Sequence, residues 1–196
     1  LAGIIFGLTA WLFSQSHQFF SSLFAKLKFP PLRSFIGGLI LVFVIWILGT
    51  TKYIGLGIPT ILASFDSPLH SYDFLIKLIL TAFTLAAGFK GGEVTPLFFI
   101  GATLGNALAL FIPLPLSLLA AMGFIAVFSG ASNTPFACLL MGIELFGYQA
   151  TIFFAIICFV AYLFSGKKGI YSAQLLSEPK LSFLNYLQNL KTKYFK

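Results

Sequence analysis

The sequence predicts an all-α polytopic membrane protein built from short, broken and re-entrant helices, and three observations predict it. The 196 residues are 59% hydrophobic and 9% charged, with a mean hydropathy of +0.99, which is too apolar for a soluble domain. Runs close to the roughly 20 apolar residues that cross a bilayer recur at about 31–49, 70–87, 93–112 and 147–164, with 1–24 as a fifth. The breaks between runs are rich in glycine and proline, and several runs are short. Interrupted helices of uneven length are the mark of transporters whose binding site is assembled from helix ends near the membrane centre.

Taken in order, residues 1–24 open with Gly3-x-x-x-Gly7, a spacing that lets two membrane helices approach closely. Ser14, Gln15, Ser16 and His17 make the same helix partly polar, and His17 reads as a solvated interface residue rather than a proton relay. Pro30-Pro31 breaks the chain before a strong span from Leu32 to Gly49, with Arg33 at one end and Trp46 near the other. Tyr53 to Pro59 carries two glycines and a proline and leaves about eight apolar residues to Phe65. That is too short to span and predicts a re-entrant half-helix buried in protein. Tyr72 to Ala87 gives the next helix, whose Lys77 must either snorkel or face the interior. The helix 93–112 carries Gly101-x-x-x-Gly105 as a packing face and runs to Pro113 and Pro115. Residues 116–130 form another, closed by Ser129-Gly130-Ala131-Ser132. Asn133-Thr134-Pro135 reads as a cap and first-turn proline opening a short helix through Glu144. Gly147 to Phe164 spans once more. After a loop at 165–169, Ile170-Tyr171-Ser172 opens a final helix that turns amphipathic and basic from Ser177, as a cytoplasmic tail would.

Charge and cysteine usage narrow the function classes. The net charge of +7 does not indicate nucleic acid, because the basic residues are concentrated in three groups: Lys26, Lys28 and Arg33; Lys167 and Lys168; and Lys180 to Lys196. By the positive-inside rule all three face the cytoplasm. Cys138 and Cys158 lie in apolar helices without a partner motif and read as small buried hydrophobes. No signature of a hydrolase, P-loop enzyme or zinc protease is present, so no catalytic residue, metal ligand or cofactor is expected. The chain opens at Leu1 inside an apolar run, which reads as a fragment lacking an N-terminal portion.

The stretch Gly91-Gly92-Glu93-Val94-Thr95-Pro96 is the candidate site. Two glycines let the backbone turn sharply and come close to a ligand, and Pro96 suits the first turn of a helix starting near Glu93. The first amides of that helix, Val94 and Thr95, have no partner inside it. With the helix dipole they form an anion site. Glu93 is the anomaly, since it places an acid where an anion would sit. As a helix-start residue alone it contributes roughly 0.3–1 kcal/mol at an exposed position. At membrane depth it suggests coupled anion and proton traffic.

Three ordered segments resemble the CLC chloride channels and anion/proton antiporters. Gly91 to Pro96 resembles that family's G-G-x-F-x-P signature, with Val94 where phenylalanine is usual. Gly123-Phe124-Ile125-Ala126 through Asn133-Thr134-Pro135-Phe136-Ala137 and on to Glu144 resembles the block that follows it. Gly166 to Ala173 resembles the segment supplying the tyrosine of the central anion site, here Tyr171. Glu93 and Thr95 look like the fluoride/proton antiporter branch. The resemblance implies the CLC-type inverted-repeat fold, with residues 1–164 as the second transmembrane repeat and 165–196 as the final helix and basic tail. The N-terminal repeat, with its gating glutamate, would be missing. It further implies an anion site at Gly92, Glu93, Val94, Thr95 and Tyr171, with Glu93 as the proton-coupling residue. Gly91, Pro96, Asn133, Pro135 and Glu144 are then structural, Glu144 as a hydrogen-bonding residue.

The leading expectation is half of a homodimeric fluoride-exporting antiporter of the prokaryotic plasma membrane, moving fluoride against protons. A chloride channel or chloride/proton antiporter on the same fold is the alternative. A non-transporting remnant or assembly subunit is the third.

Overall fold

The computed structural model describes residues 1–166 and 169–171, which form eight α-helices and one 3-10 turn, with no strand among them. The helices are α1 (Ala2–Ala25), α2 (Pro30–Leu48), α3 (Ile58–Asp66), α4 (Asp73–Ala86), α5 (Val94–Leu108), α6 (Leu116–Ser132), α7 (Pro135–Phe146) and α8 (Thr151–Phe164). The final helix and basic tail expected beyond Tyr171 lie outside the described residues, as do Lys167 and Lys168.

Every apolar run yields a helix, but three are shorter than expected. The run 93–112 stops being helical at Leu108, and the next amides reach back only three or four residues to Asn106, Ala107 and Leu108. Pro113 explains this, because it lacks an N–H and pushes the residue before it out of the helical region. The run 70–87 becomes helical only at Asp73. The run 147–164 opens with a 3-10 turn at Tyr148–Ala150, after Gly147 with φ +86°. One described helix, α2, is long and apolar enough to cross a membrane by itself. At 15 residues α5 is about 22 Å long, short of the roughly 30 Å hydrocarbon core.

The centre of the fold is the antiparallel pair α5–α6, and α5 is buried almost throughout. A Cβ at Gly101 would fall on the Gly123 carbonyl and one at Gly105 on the Leu119 carbonyl, so the two backbones touch. The Gly101-x-x-x-Gly105 face is therefore a packing face, as expected. Phe98 stacks on Phe124 at 4.0 Å between ring centres. Gly3 and Gly7 do the same for α1 and α8: Cβ atoms there would meet Val160 and Ala161 in turn, so this pair runs parallel. Because Gly7 lies against Phe164, α8 ends beside the first half of α1, well short of the end of α1 at Ala25.

Helix α3 is short, as expected, but it is buried on one face only, with Ile58 and Leu62 about half exposed or more. It has nine residues, starts after Gly57 (φ +71°) and packs on α5 and α6 through Thr60, Ile61 and Ser64. A residue not singled out from sequence, Asn106, closes its far end. The Asn106 amide donates to the Ser64 and Ser67 carbonyls at 2.8 Å each, and its oxygen accepts from the Leu69 amide at 2.9 Å.

Lys77 faces the interior rather than snorkelling. It is 2% exposed, and its Nζ donates to the Tyr53 and Gly55 carbonyls at 3.0 and 2.6 Å. One turn earlier Asp73, fully buried, pairs with Lys52 and accepts from the Tyr53 hydroxyl at 2.7 Å. By contrast α2 buries only Gly37, against Ala87 of α4, and leaves Phe43, Trp46 and Ile47 more than half exposed. That face suits contact with lipid.

Two expectations at the α6–α7 junction are corrected. Ser129 to Ser132 does not close α6 but lies inside it, with the Ser129 hydroxyl donating to the Cys158 carbonyl of α8 at 3.0 Å. Asn133 does not cap α7. It ends α6 in the left-handed region (φ 59°), a conformation asparagine tolerates well, while Thr134 occupies the N-cap of α7 and Pro135 its first turn.

Candidate functional site

The start of α5 is positioned by the helices around it. The register set by the Gly101–Gly123 and Gly105–Leu119 contacts runs on to put Val94 level with Gly130 of α6. Gly130 in turn touches Ala10, well inside the 24-residue α1, so the α5 terminus lies away from either end of the molecule's longest helix.

The turn itself differs from expectation in one respect. The left-handed backbone falls at Gly88 (φ +93°), which ends α4, and not at Gly91 or Gly92. Ser34 of α2 steadies this point by donating to the Ala87 carbonyl at 3.1 Å. What Gly91 and Gly92 provide is openness, since a Cβ on either would meet nothing within 4 Å.

Helix α5 then begins at Val94, with Glu93 in the N-cap position and Pro96 in the first turn. The first intrahelical bond runs from the Leu97 amide to the Glu93 carbonyl at 3.2 Å. Among the described residues the Val94 and Thr95 amides have no acceptor, and Pro96 has no N–H to satisfy. The Thr95 hydroxyl, half-buried, is also uncommitted, whereas Thr84 and Thr103 deeper in their helices donate back to Leu80 and Phe99. The site therefore offers two amides and one hydroxyl at the positive end of a helix.

Glu93 is half-buried and makes no capping hydrogen bond, so it does not serve the helix start through its side chain. The titratable side chain that acts on it electrostatically is His17 of α1.

Tyr171 comes to the same level by a separate route. The Ile170 amide donates to the Ala131 carbonyl at 2.8 Å, one residue beyond the level of Val94. Tyr171 itself is 44% exposed. Glu144 is not brought to this cluster. It lies on the exposed side of α7, two turns along from the site, and its expected hydrogen bond is not formed with any described residue. No group of three or more histidine, cysteine or acidic side chains that could hold a metal occurs among the described residues.

Comparison with known proteins gives the same direction. The family model described as voltage gated chloride channel matches residues 1–166. A chloride/fluoride channel protein of Pseudomonas syringae pv. tomato (strain ATCC BAA-871 / DC3000) is 49% identical over 186 residues, covering 91% of this chain and 41% of that protein. The crystal structure of a CLC-type fluoride/proton antiporter superposes with a TM-score of 0.81 at 43% identity, over 84% of this chain and 42% of that one. A slow cyanobacterial Cl-/H+ antiporter shares the fold alone, with a TM-score of 0.66 at 23% identity, over 100% of this chain and 47% of that one. The chain thus spans about two-fifths of the curated relative it matches.

Proposed function

The chain belongs to the voltage-gated chloride channel family, and on that premise we propose that it is the second transmembrane repeat and last helix of a fluoride/proton antiporter that exports fluoride. It is an integral membrane protein, as the family is. In this reading it works as a homodimer in a prokaryotic plasma membrane, with its C-terminus cytoplasmic and a first repeat completing the anion path.

The observation that carries the reading is the start of α5: unpaired Val94 and Thr95 amides beside a free Thr95 hydroxyl, with an uncapped, half-buried Glu93 at the same terminus. Fluoride is small and strongly hydrated, so a site that accepts it must replace its water with several strong donors. Two amides and a hydroxyl on one helix turn meet part of that demand. The relatives named for fluoride support the choice of ion.

Two outcomes test this. In the full-length protein, Thr95→Ala is expected to slow fluoride transport roughly tenfold more than chloride transport, the scale of one hydrogen bond to a charged group. Efflux of each ion from proteoliposomes measures it, and equal losses for both ions would remove Thr95 from the site. The 196-residue chain alone is expected to be inert, because it supplies only part of the donor set. Fluoride efflux from vesicles containing only this chain, above that of empty vesicles, would overturn the half-transporter reading.

A further inference from the structure

A cavity of about 290 Å³ lies between α2, the loop that follows it, α4 and the turn leading to α5. Its walls are apolar on the α2 side, with Leu41 and Ile45, but Lys77 and Lys90 also line it and no carboxylate does. Among the described residues the one ion pair is Lys52 with Asp73, so the single buried carboxylate nearby is already neutralised. Lys77 therefore has no carboxylate partner of its own at the cavity wall, where it is 2% exposed. Two of its three donors go to the Tyr53 and Gly55 carbonyls, and its Nζ lies 5.2 Å from the centre of the Phe99 ring. Carbonyls and a ring face solvate an ammonium without cancelling its charge. A buried ammonium is strongly unfavourable unless a counter-ion pairs with it or it gives up its proton, and an anion beside it favours the charged form. Gly91 and Gly92 also line it, and neither position has a neighbour within reach of a Cβ.

We propose that this cavity is a second anion site, separate from the donors at Val94 and Thr95, in which a small monovalent halide sits as counter-ion to Lys77. The volume accommodates such an ion with several waters, at about 30 Å³ per water. The inference goes beyond the transport reading and does not need it, since a chain that transports nothing would still hold the ion.

Bromide is the probe, read by its anomalous scattering in crystals of the full-length protein. The expected result is a bromide between Lys77 and Gly92. Its occupancy should fall at least about tenfold in Lys77→Gln, in keeping with loss of a charged hydrogen-bond donor, and persist in Lys77→Arg. Leu41→Trp fills the cavity from α2 without touching the hydrogen bonds of Lys77 and is expected to expel the bromide as well. It decides the matter if Lys77→Gln does not fold. An empty cavity in the wild type, or a bromide that survives Leu41→Trp or Lys77→Gln, overturns the proposal. Bromide at Val94 and Thr95 is read from the same maps. Its absence there leaves the cavity proposal untouched, and fluoride efflux from the same protein tests the transport reading separately.

Discussion

Adding one methyl group at Gly101 is expected to destabilise the protein severely. In α5 the Gly101 backbone lies directly on the Gly123 backbone of α6, and the Cβ of an alanine would fall on the Gly123 carbonyl carbon and oxygen. A flexible side chain could move aside, but a backbone carbonyl inside a helix cannot. The helices would have to separate, and with them Phe98 from Phe124 and the buried row from Leu97 to Leu108. Overpacking in a well-packed core typically costs about 1–3 kcal/mol, and a backbone collision at the central contact belongs at or above the top of that range. Gly38→Ala is the matched control. Its new Cβ would meet only the Phe89 ring at an ordinary 3.5 Å, so the change should be neutral or stabilising by about 0.5–1 kcal/mol. Thermal unfolding of the full-length protein in detergent separates the two. A Gly101→Ala protein as stable as wild type would mean that the α5–α6 pair is more loosely packed than described.

The glycines in these two packing motifs were legible because a four-residue spacing has one geometric meaning on a helix. Their partners were not, since nothing local to Gly101 names Gly123. The same limit applies to the site. Gly91 to Pro96 could be read as a helix start with free amides from residue types alone, and α5 does begin at Val94 with Pro96 in its first turn. The source of the sharp turn could not, because Gly88, Gly91 and Gly92 are equivalent on paper and only the packed backbone selects Gly88 for the left-handed conformation. Asn133 was misread for a related reason. Asparagine suits both helix starts and left-handed helix ends, and here the end of α6 claims it. Asp73 and Asn106 were missed altogether. Their partners lie 20 to 42 residues away in sequence, beyond any periodic signal.

The role of Glu93 is where sequence, geometry and function meet, and the effect of changing it is expected to be the largest on transport. An ionised Glu93 and a fluoride at the Val94 and Thr95 amides would be two negative charges within one half-buried turn. At a separation of about 4 Å and an effective dielectric near 20, their repulsion is about 4 kcal/mol. Anion arrival must therefore be accompanied by protonation of the carboxylate or by its displacement, and either event couples the two ions. Glutamine keeps the size and hydrogen-bonding capacity of the side chain but cannot carry the charge or release a proton. Because Glu93 makes no capping bond, the fold should survive the change.

The decisive measurement is simultaneous fluoride efflux and proton influx in proteoliposomes holding the full-length protein, wild type against Glu93→Gln. Fluoride-driven proton influx is expected to fall at least about tenfold, equivalent to about 1.4 kcal/mol, with folded protein still recovered. A Glu93→Gln protein that keeps wild-type rates and wild-type coupling would contradict the account at its centre and reduce Glu93 to a residue of the helix start.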